Sequence, residues 1–393
     1  MGRTAFPGRQ AVLDKLLQVK QGDKLGQPFL LVGPEGSGKE NTALEFARLL
    51  NCVAPQTCGP ARLCESCVKI LGFQHPDVRW IGPAPAAIKE AEVRDLFDAK
   101  IANPFFQPPY AATSFVSIGD PENPGPLSIR SIIHFLRRRA FQSPYKVAVV
   151  ADGHRMNAAA ANAFLKTLEE PPPATVIFVL STGTEGMLPT ILSRCQKIRF
   201  EPWPETELVT LLGTMTDQPP EAVSQAVRVS DGNARRALEL LRPETGMVLD
   251  WAAQVFGWIQ EQRHALAGIA ADEIHRGLLG HAVLPEGAGP KTGELKDTAS
   301  RRNRAIQLCE LLNLHYSDTV GLIEAGDQWP CRLPAMASVT GQAARRRQTA
   351  TLLKDMERID AARGDIDRNL NIGLVLAVLF EELIENVRRD QTS

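Results

Sequence analysis

At 393 residues, with 44% hydrophobic and 23% charged side chains, the chain has the composition of a soluble globular protein of two or three domains. Its 44 basic and 45 acidic side chains nearly cancel, which excludes an overall positive field for nucleic acid, so any such contact must be local or made by a partner. The lack of a long apolar run and of a signal-peptide core excludes a membrane anchor and predicts a cytoplasmic protein, whose seven cysteines are thiols or metal ligands rather than disulfides.

Short apolar runs in the first half of the chain predict β-strands, and helical patterns lie between most of them. The runs are Phe29–Val32, Phe115–Ile118, Val147–Val150, Val176–Leu180 and Lys197–Phe200. Alternating strands and helices predict a parallel sheet covered by helices on both faces. The proline-rich residues 81–126 are interpreted as an insertion before the second strand.

The first run leads into the sequence GPEGSGKE at residues 33–40, and a helical pattern follows. Gly33, Gly38 and Lys39 match a phosphate-binding loop, in which backbone N–H groups and a lysine surround the phosphates, and Gly36 belongs to the same loop. Glu40 stands where this motif has a Ser or Thr hydroxyl that binds magnesium. The motif is therefore complete for phosphate and incomplete for the metal.

The strand at 147–150 is followed by Ala151 and Asp152. An active ATPase of this type has at these positions an Asp for magnesium and a Glu for the attacking water. Since Glu40, Ala151 and Asp152 all depart from that pattern, and a carboxylate at 40 repels phosphates, we do not expect hydrolysis. Three interpretations stay open: a plain turn, ATP or ADP binding without turnover, and a working ATPase, because a carboxylate can bind magnesium.

Cysteines cluster directly after the helix, with the spacing C-x5-C-x5-C-x2-C at Cys52, Cys58, Cys64 and Cys67. Four thiolates can close a tetrahedral zinc site, and such a site is structural because it leaves no position for a substrate. The alternative is a group of free cysteines. His75 is a possible substitute ligand, although its HPD sequence is more typical of a capping or packing residue.

The strand patterns end near residue 204. Two or three short helices are expected over 204–242, with a break at Gln218-Pro219-Pro220, and an all-helical region from about 246, with a Gly- and Pro-rich loop at 280–297. The last helix is expected over Leu370 to Val387, with one apolar face formed by Leu370, Leu374, Val378, Leu379 and Leu383.

The segments NAAAANAFLKTLEEPPP (157–173) and LPTILSRC (188–195), together with GPEGSGKE and VAVVADGH, resemble bacterial clamp-loader subunits of the AAA+ class. The resemblance covers about Phe6 to Arg242. It implies an α/β AAA+ module at 1–203 with a zinc insertion at about 52–67, a small helical lid at 204–245, and a helical collar for oligomerisation at 246–393. In the family, fewer residues usually separate the two cysteines that correspond to Cys58 and Cys64, so the cysteine spacing of this chain departs from the family pattern.

Within this family, the altered nucleotide positions resemble the delta-prime branch, as do GFQHPDV (72–78) and RIDAARGDIDRNLNIGLVLAVLFEEL (358–383). The gamma or tau branch hydrolyses ATP, and tau carries a long tail that we do not find here. The implied function is a non-hydrolysing DNA polymerase III subunit that joins delta and gamma or tau subunits in loading the sliding clamp onto primed DNA. The alternatives are an ATP-hydrolysing gamma/tau-like subunit and an AAA+ protein of another remodelling complex.

The resemblance also implies roles for single residues. Arg194 matches an arginine finger that reaches the γ-phosphate in a neighbouring subunit, the alternative being a surface or salt-bridged side chain. Thr182 lies in the sensor-one region, and Arg235 matches the sensor-two arginine of the lid, the alternative being a solvated side chain. The arginines at 137–139 and 345–347 are interpreted as solvated faces rather than DNA contacts.

Overall fold

The computed structural model describes residues 8–21, 25–59, 62–262, 298–329, 331–332, 337–368 and 370–392. The chain forms two compact units. The first contains Met1–Thr216 and Ser230–Arg236, and the second contains Asp217–Val229 and Ala237–Ser393. The three domain boundaries expected from the sequence stay a prediction.

The first unit is built on a five-stranded sheet with the order β2-β3-β4-β1-β5, in which every pairing is parallel. Three strands, β3, β4 and β1, are inner strands, and every residue of β3 and β4 is buried, so both faces of the sheet are covered there. Together with the helices of both units, this confirms the fold class expected from the sequence. The strands are β1 (Phe29–Val32), β2 (Val78–Ile81), β3 (Lys146–Val150), β4 (Thr175–Ser181) and β5 (Gln196–Arg199).

One strand predicted from the sequence is wrong, and one was missed. Phe115–Ile118 is not a strand, because Phe115 and Val116 form only isolated bridges to Ala84 and Met156. The edge strand is instead β2, where the charged Arg79 interrupts the apolar pattern that identified the other strands. The other four predictions agree with the structure to within one residue at each end.

Helices connect the strands of the first unit, and α4 lies within the proline-rich insertion at 81–126. Asn157 caps α6, since its side-chain oxygen accepts the backbone N–H of Ala160 at 2.8 Å, as N-cap asparagines commonly do. The helices are α1 (Gln10–Gln21), α2 (Lys39–Leu50), α3 (Glu65–Leu71), α4 (Glu90–Ala102), α5 (Ile129–Arg137), α6 (Ala158–Glu169), α7 (Pro189–Leu192) and α8 (Glu205–Gly213).

The described part of the second unit contains helices and no strand. The short helices expected over 204–242 are confirmed, and α9 begins at Pro220, at the expected break. The predicted loop at 280–297 lies outside the described residues. The helices are α9 (Pro220–Val229), α10 (Ala234–Leu240), which begins in the first unit, α11 (Pro243–Gln260), α12 (Thr298–Ala325), α13 (Ala337–Ala344), α14 (Thr349–Asp367) and α15 (Ile372–Thr392). Among the residues described, no helix has the length and apolarity to cross a bilayer.

The apolar face predicted for the last helix is wrong. Leu379 and Leu383 are buried, but Leu370, Leu374 and Val378 are 51%, 66% and 40% exposed. The buried residues of α15 instead follow the three- and four-residue spacing of a helix face: Leu376, Leu379, Phe380, Leu383 and Val387. The exposed leucines therefore form a second, solvent-facing apolar row.

Arg347 lies in the core of the second unit, which contradicts the solvated face expected for 345–347. Its guanidinium donates to Asp355 at 2.6 Å and to Asp390 at 2.7 Å, and its side chain and that of Asp355 have no exposed area. Arg345 and Arg346 are exposed, as are all three arginines at 137–139. The sequence could not show this difference because no sequence pattern pairs Arg347 with Asp355, 8 positions later, or with Asp390, 43 positions later.

Candidate functional site

The glycine loop between β1 and α2 is packed so closely that its glycines are needed. Gly36 and Gly38 have φ angles of +66° and +86°, which other residues rarely adopt. A Cβ atom at Gly38 would lie 2.9 Å from the Trp203 ring, and one at Gly36 would overlap the Asn233 side chain. The indole N–H of Trp203 also donates to the carbonyl of Gly36 at 3.0 Å. The loop is thus held from outside as well as by its own sequence.

Lys39 is engaged by its own loop. Its ammonium donates to the carbonyls of Gly33 at 2.5 Å and Pro34 at 2.6 Å, and to the Ser37 hydroxyl at 3.3 Å. Burial lowers the pKa of Lys39 to about 8, although Asp152 and other nearby carboxylates oppose the change. The lysine that would contact phosphate is therefore directed at backbone oxygens.

Glu40, at the expected position of the magnesium ligand, binds an ammonium group. Its carboxylate accepts from Lys100 of α4 at 2.7 Å. Lys100 is 3% exposed, donates also to the carbonyl of Phe106 at 3.2 Å, and lies 4.6 Å from the centre of the Trp80 ring. No motif in the sequence indicates Lys100, which lies within the insertion at 81–126.

The end of β3 supplies the other two altered positions. Ala151 is buried, and Asp152 adopts a left-handed backbone with φ +48°. Burial raises the pKa of Asp152, and the neighbouring Glu40 and Glu35 add to this rise. Thr182 follows β4 and lines the same small cleft, which has a volume of about 100 Å³. Three carboxylates thus surround a space in which phosphates would have to bind.

Arg235 lies beside this loop. Its guanidinium forms an ion pair with Glu35 at 3.0 Å and donates to the Gln107 side chain. The side chains of Arg235 and Glu35 are 30% and 50% exposed, so solvent reaches this pair, and the sensor-two role of Arg235 stays a prediction. The three cations that line the cleft, Lys39, Lys100 and Arg235, are all engaged by groups of the chain itself.

Arg194 lies on the surface after α7, where the sequence left a salt-bridged side chain open as an alternative. Its Nε donates to Glu169 at 2.7 Å, and its Nη1 donates to the carbonyl of Thr190 at 2.7 Å. Glu169 is the last residue of α6, so the segments 157–173 and 188–195, which carry the family resemblance, contact each other here. The side chains are 31% and 45% exposed, and solvent therefore reaches the pair.

The cysteine cluster has the geometry of a metal site. The four sulfur atoms of Cys52, Cys58, Cys64 and Cys67 lie within 4.8 Å of one another. Two of the pairs are 3.8 and 3.6 Å apart, close to the roughly 3.8 Å between ligands of a tetrahedron with zinc–sulfur bonds of about 2.3 Å. The donor set and its spacing therefore fit a four-coordinate zinc ion, as the sequence predicted.

Two hydrogen-bond donors contact the sulfur atoms of this cluster. The backbone N–H of Cys64 donates to the sulfur of Cys58 at 3.3 Å, and the Arg48 guanidinium donates to that of Cys67 at 3.5 Å. Glu45 holds Arg48 through both carboxylate oxygens. A zinc ion bound by four thiolates carries excess negative charge, so Arg48 is suited to stabilise it, as hydrogen-bonded partners of metal ligands do.

His75 is not a ligand but part of a buried hydrogen-bond network, as its HPD sequence indicated. Its Nδ1 accepts the backbone N–H of Asp77 at 3.0 Å, and its Nε2 lies 3.2 Å from the hydroxyls of Ser66 and Ser143. The Asp77 carboxylate accepts the backbone N–H groups of residues 141, 142 and 143 at 2.7, 2.7 and 2.9 Å. No pattern in the sequence indicates the hydrogen bonds between Asp77 and residues 141–143.

Metal analysis of protein purified without added zinc should find about one zinc per chain, since the four thiolates complete the coordination shell. Replacing Cys64 by serine should reduce that content by more than half and lower the resistance of residues 52–67 to proteolysis, because structural zinc contributes folding energy where it binds. Cys331→Ser, in the other unit, is the matched control. Full zinc content in the Cys64 variant would contradict the assignment.

The chain is similar in sequence to subunits of DNA polymerase III. A family model described as "DNA polymerase III, delta subunit" matches residues 8–112 and 126–204. The gamma/tau subunit of DNA polymerase III from Mycobacterium tuberculosis is 29% identical over 243 residues, which cover 60% of this chain and 35% of that protein. The delta' subunit from Pseudomonas aeruginosa is 29% identical over 213 residues, covering 54% and 55%. The delta' subunit from Escherichia coli is 24% identical over 253 residues, covering 64% and 66%.

These matches span between about a third and two thirds of the relatives' own lengths. Among solved structures, a gamma subunit-related protein from Thermotoga maritima has a TM-score of 0.44 at 17% identity, covering 96% of this chain and 99% of that one. A RuvB mutant from Thermotoga maritima has a TM-score of 0.36 at 14% identity, covering 87% and 86%.

Proposed function

We propose that the chain is a member of the clamp-loader family of DNA polymerase III, as its delta-prime-like sequence and its sequence relatives indicate, and that it is a subunit that does not hydrolyse ATP. Its role would be to support gamma or tau and delta subunits as they load the sliding clamp onto primed DNA. The observation that carries the proposal is the ion pair of Glu40 with Lys100 at 2.7 Å.

This ion pair occupies the place where an ATPase of this type needs a metal. Magnesium in such sites is held by the Ser or Thr after the loop lysine and by an Asp at a strand end. Here the first position is a carboxylate already neutralised by an ammonium, and the second is Ala151. A divalent cation entering beside Glu40 would meet the positive charge of Lys100, so the chain excludes the metal as well as lacking its ligands.

The phosphate positions are closed in a similar way. Lys39 donates to the carbonyls of its own loop, and Arg235 is paired with Glu35. A nucleotide would have to break these contacts and approach Glu35, Glu40 and Asp152, whose carboxylates repel phosphate. We therefore propose that the loop now serves the packing of Trp203 and Asn233 rather than nucleotide binding.

Arg194 supports a role in a neighbouring active site. Its pair with Glu169 is partly exposed, and exposed ion pairs of this kind contribute only about 0–1 kcal/mol. The γ-phosphate of a nucleotide bound by an adjacent subunit could therefore compete for the guanidinium at little cost. Arginine supplied in this way stabilises the charge that develops during phosphoryl transfer.

The helical second unit supports assembly with other subunits. Leu370, Leu374 and Val378 form an exposed apolar row at spacings of four residues, and rows of this kind commonly mark protein interfaces. We propose that this row belongs to a collar through which the chain joins its partner subunits.

The rival function is an ATP-hydrolysing gamma/tau-like subunit, which the 29% identity to a gamma/tau subunit and the intact Gly33, Gly38 and Lys39 favour. The test is steady-state phosphate release by the purified chain with magnesium and ATP. We expect a rate no higher than that of the Lys39→Ala variant, because neither the metal nor the attacking water is positioned. Release clearly above this control would contradict the proposal and favour the rival.

A second variant in the same assay tests whether Glu40 alone prevents ATP hydrolysis. Glu40→Thr restores the hydroxyl of the motif, but we expect no activity from it. Lys100 would lose its carboxylate partner while Ala151 and Asp152 stay unsuited to magnesium and water. Activity in this single variant would show that Glu40 alone disables the site.

A further inference from the structure

A second concave site lies on the first unit, away from the nucleotide-like cleft. It is a groove of about 590 Å³ formed by the edge strand β2, the loop at 123–126, the end of α5 and the loop that leads to β3. Phe141 and the largely buried Phe135 provide apolar walls, and Arg79, Arg138, Arg139 and Lys146 provide cations. Its volume is in the range of ligand sites in proteins.

Phe141 is exposed yet held in place. Its side chain is 80% exposed, more than any other large apolar side chain that the structure describes. The backbone N–H groups of Phe141 and the next two residues donate to the buried Asp77 carboxylate, and the Ser143 hydroxyl contacts His75. The backbone that carries this exposed aromatic ring is therefore fixed, which reduces the backbone entropy lost when a partner binds.

The charges of the groove are unbalanced. Arg138 and Arg139 are exposed, and within the described part of the chain neither they nor Arg79 has an ion-pair partner. Burial and the nearby Arg138 lower the pKa of Arg79, so positive charges lie close together here. Lys146 also lines the groove, so four basic side chains face the two carboxylates of Asp77 and Glu90 there. The groove therefore carries a local excess of positive charge.

We propose that this groove binds an acidic peptide segment of a partner protein. Carboxylates of the peptide would pair with the Arg138 and Arg139 guanidinium groups, which match carboxylate geometry. An apolar side chain between the carboxylates would pack against Phe135 and Phe141. Aromatic and arginine side chains together are the usual centres of protein interfaces.

A peptide fits these features better than a nucleic acid. A nucleic-acid strand needs a row of cations along its phosphates, whereas this groove offers three arginines around an apolar depression, in a chain of net charge −1. Recognition of acidic motifs by arginine clusters is a recurrent mode of peptide binding. Peptide binding here does not depend on the state of the nucleotide-like cleft, and a failure of one proposal leaves the other standing.

The test is fluorescence anisotropy of a labelled peptide of sequence EDLFED titrated with the full chain. We expect saturable binding that Arg139→Glu and Phe141→Ala each weaken by about tenfold or more, a loss typical of central interface residues. Arg137→Glu is the matched control: it belongs to the same exposed triplet but does not line the groove, and it should change the affinity by less than about twofold.

Defined outcomes would overturn the inference. Failure of EDLFED to bind would do so, as would equal binding by the wild type and the Arg139 and Phe141 variants. Equal binding of the peptide EDAAED would show that no apolar contact is made. Tighter binding of a short oligothymidine, lost in the same variants, would assign the groove to single-stranded nucleic acid instead.

Discussion

Replacing Arg194 by alanine in a reconstituted clamp loader should reduce clamp loading strongly and total ATP hydrolysis only in part. An arginine finger is worth roughly 10³–10⁵ in turnover at the site that it serves. Only one active site of a ring would face Arg194, so the other sites continue to hydrolyse ATP. Loading depends on the sites acting together, and its loss should therefore be larger. The measurements are clamp- and DNA-stimulated ATPase and clamp loading on primed DNA.

Two companion variants distinguish this role from a general surface effect. Arg194→Lys should not restore loading, because a compact ammonium does not reproduce the planar guanidinium. Arg199→Ala, which removes an exposed arginine from β5, should leave both rates unchanged. If Arg194→Ala enters the complex and supports wild-type rates in both assays, Arg194 is only the surface partner of Glu169.

Replacing Arg347 by methionine should destabilise the second unit by about 3–5 kcal/mol, the usual cost of removing one member of a buried ion pair. Asp355 would keep its carboxylate in the core without the guanidinium that now pairs with it. Burial already raises the pKa of Asp355, and the hydrogen bond from Arg347 opposes that rise. Without Arg347, Asp355 should therefore take up a proton at higher pH. Urea denaturation followed by the helical circular dichroism signal measures the loss.

The neighbouring residue offers a matched control for this variant. Arg346 is exposed, and Arg346→Met should change the free energy of unfolding by less than about 0.5 kcal/mol, as surface substitutions usually do. Equal unfolding midpoints for the two variants would contradict the assignment of Arg347 to the core.

Features that depend on local sequence could be predicted. The first strand, glycine loop and helix were evident because an apolar run, fixed glycines and a helical pattern follow one another within residues 29–50. The cysteine cluster was evident for the same reason, since its ligands lie within residues 52–67. The predicted zinc ligands are indeed close together in the structure.

Features that depend on distant partners could not be predicted. The role of Lys100 depends on its ion pair with Glu40, and the role of Arg347 depends on its ion pairs with Asp355 and Asp390. No spacing rule connects such residues. The edge strand β2 was missed because it contains a charged residue that interrupts its apolar pattern. Phe115–Ile118 resembled a strand in composition, but its proline-rich surroundings leave it only isolated bridges.

The pair of Glu40 and Lys100 also bears on how the residue at position 40 could change during evolution. The two residues are 60 positions apart, so a single mutation cannot change both. Losing Glu40 first leaves the ammonium of Lys100 buried over Trp80 without its carboxylate, and losing Lys100 first leaves Glu40 among the carboxylates that already raise the pKa of Asp152. Because removing one partner of a largely buried ion pair usually destabilises a protein, we expect each intermediate to be less stable than the present chain. We therefore expect folding stability to oppose a return to the Ser or Thr of the motif at position 40.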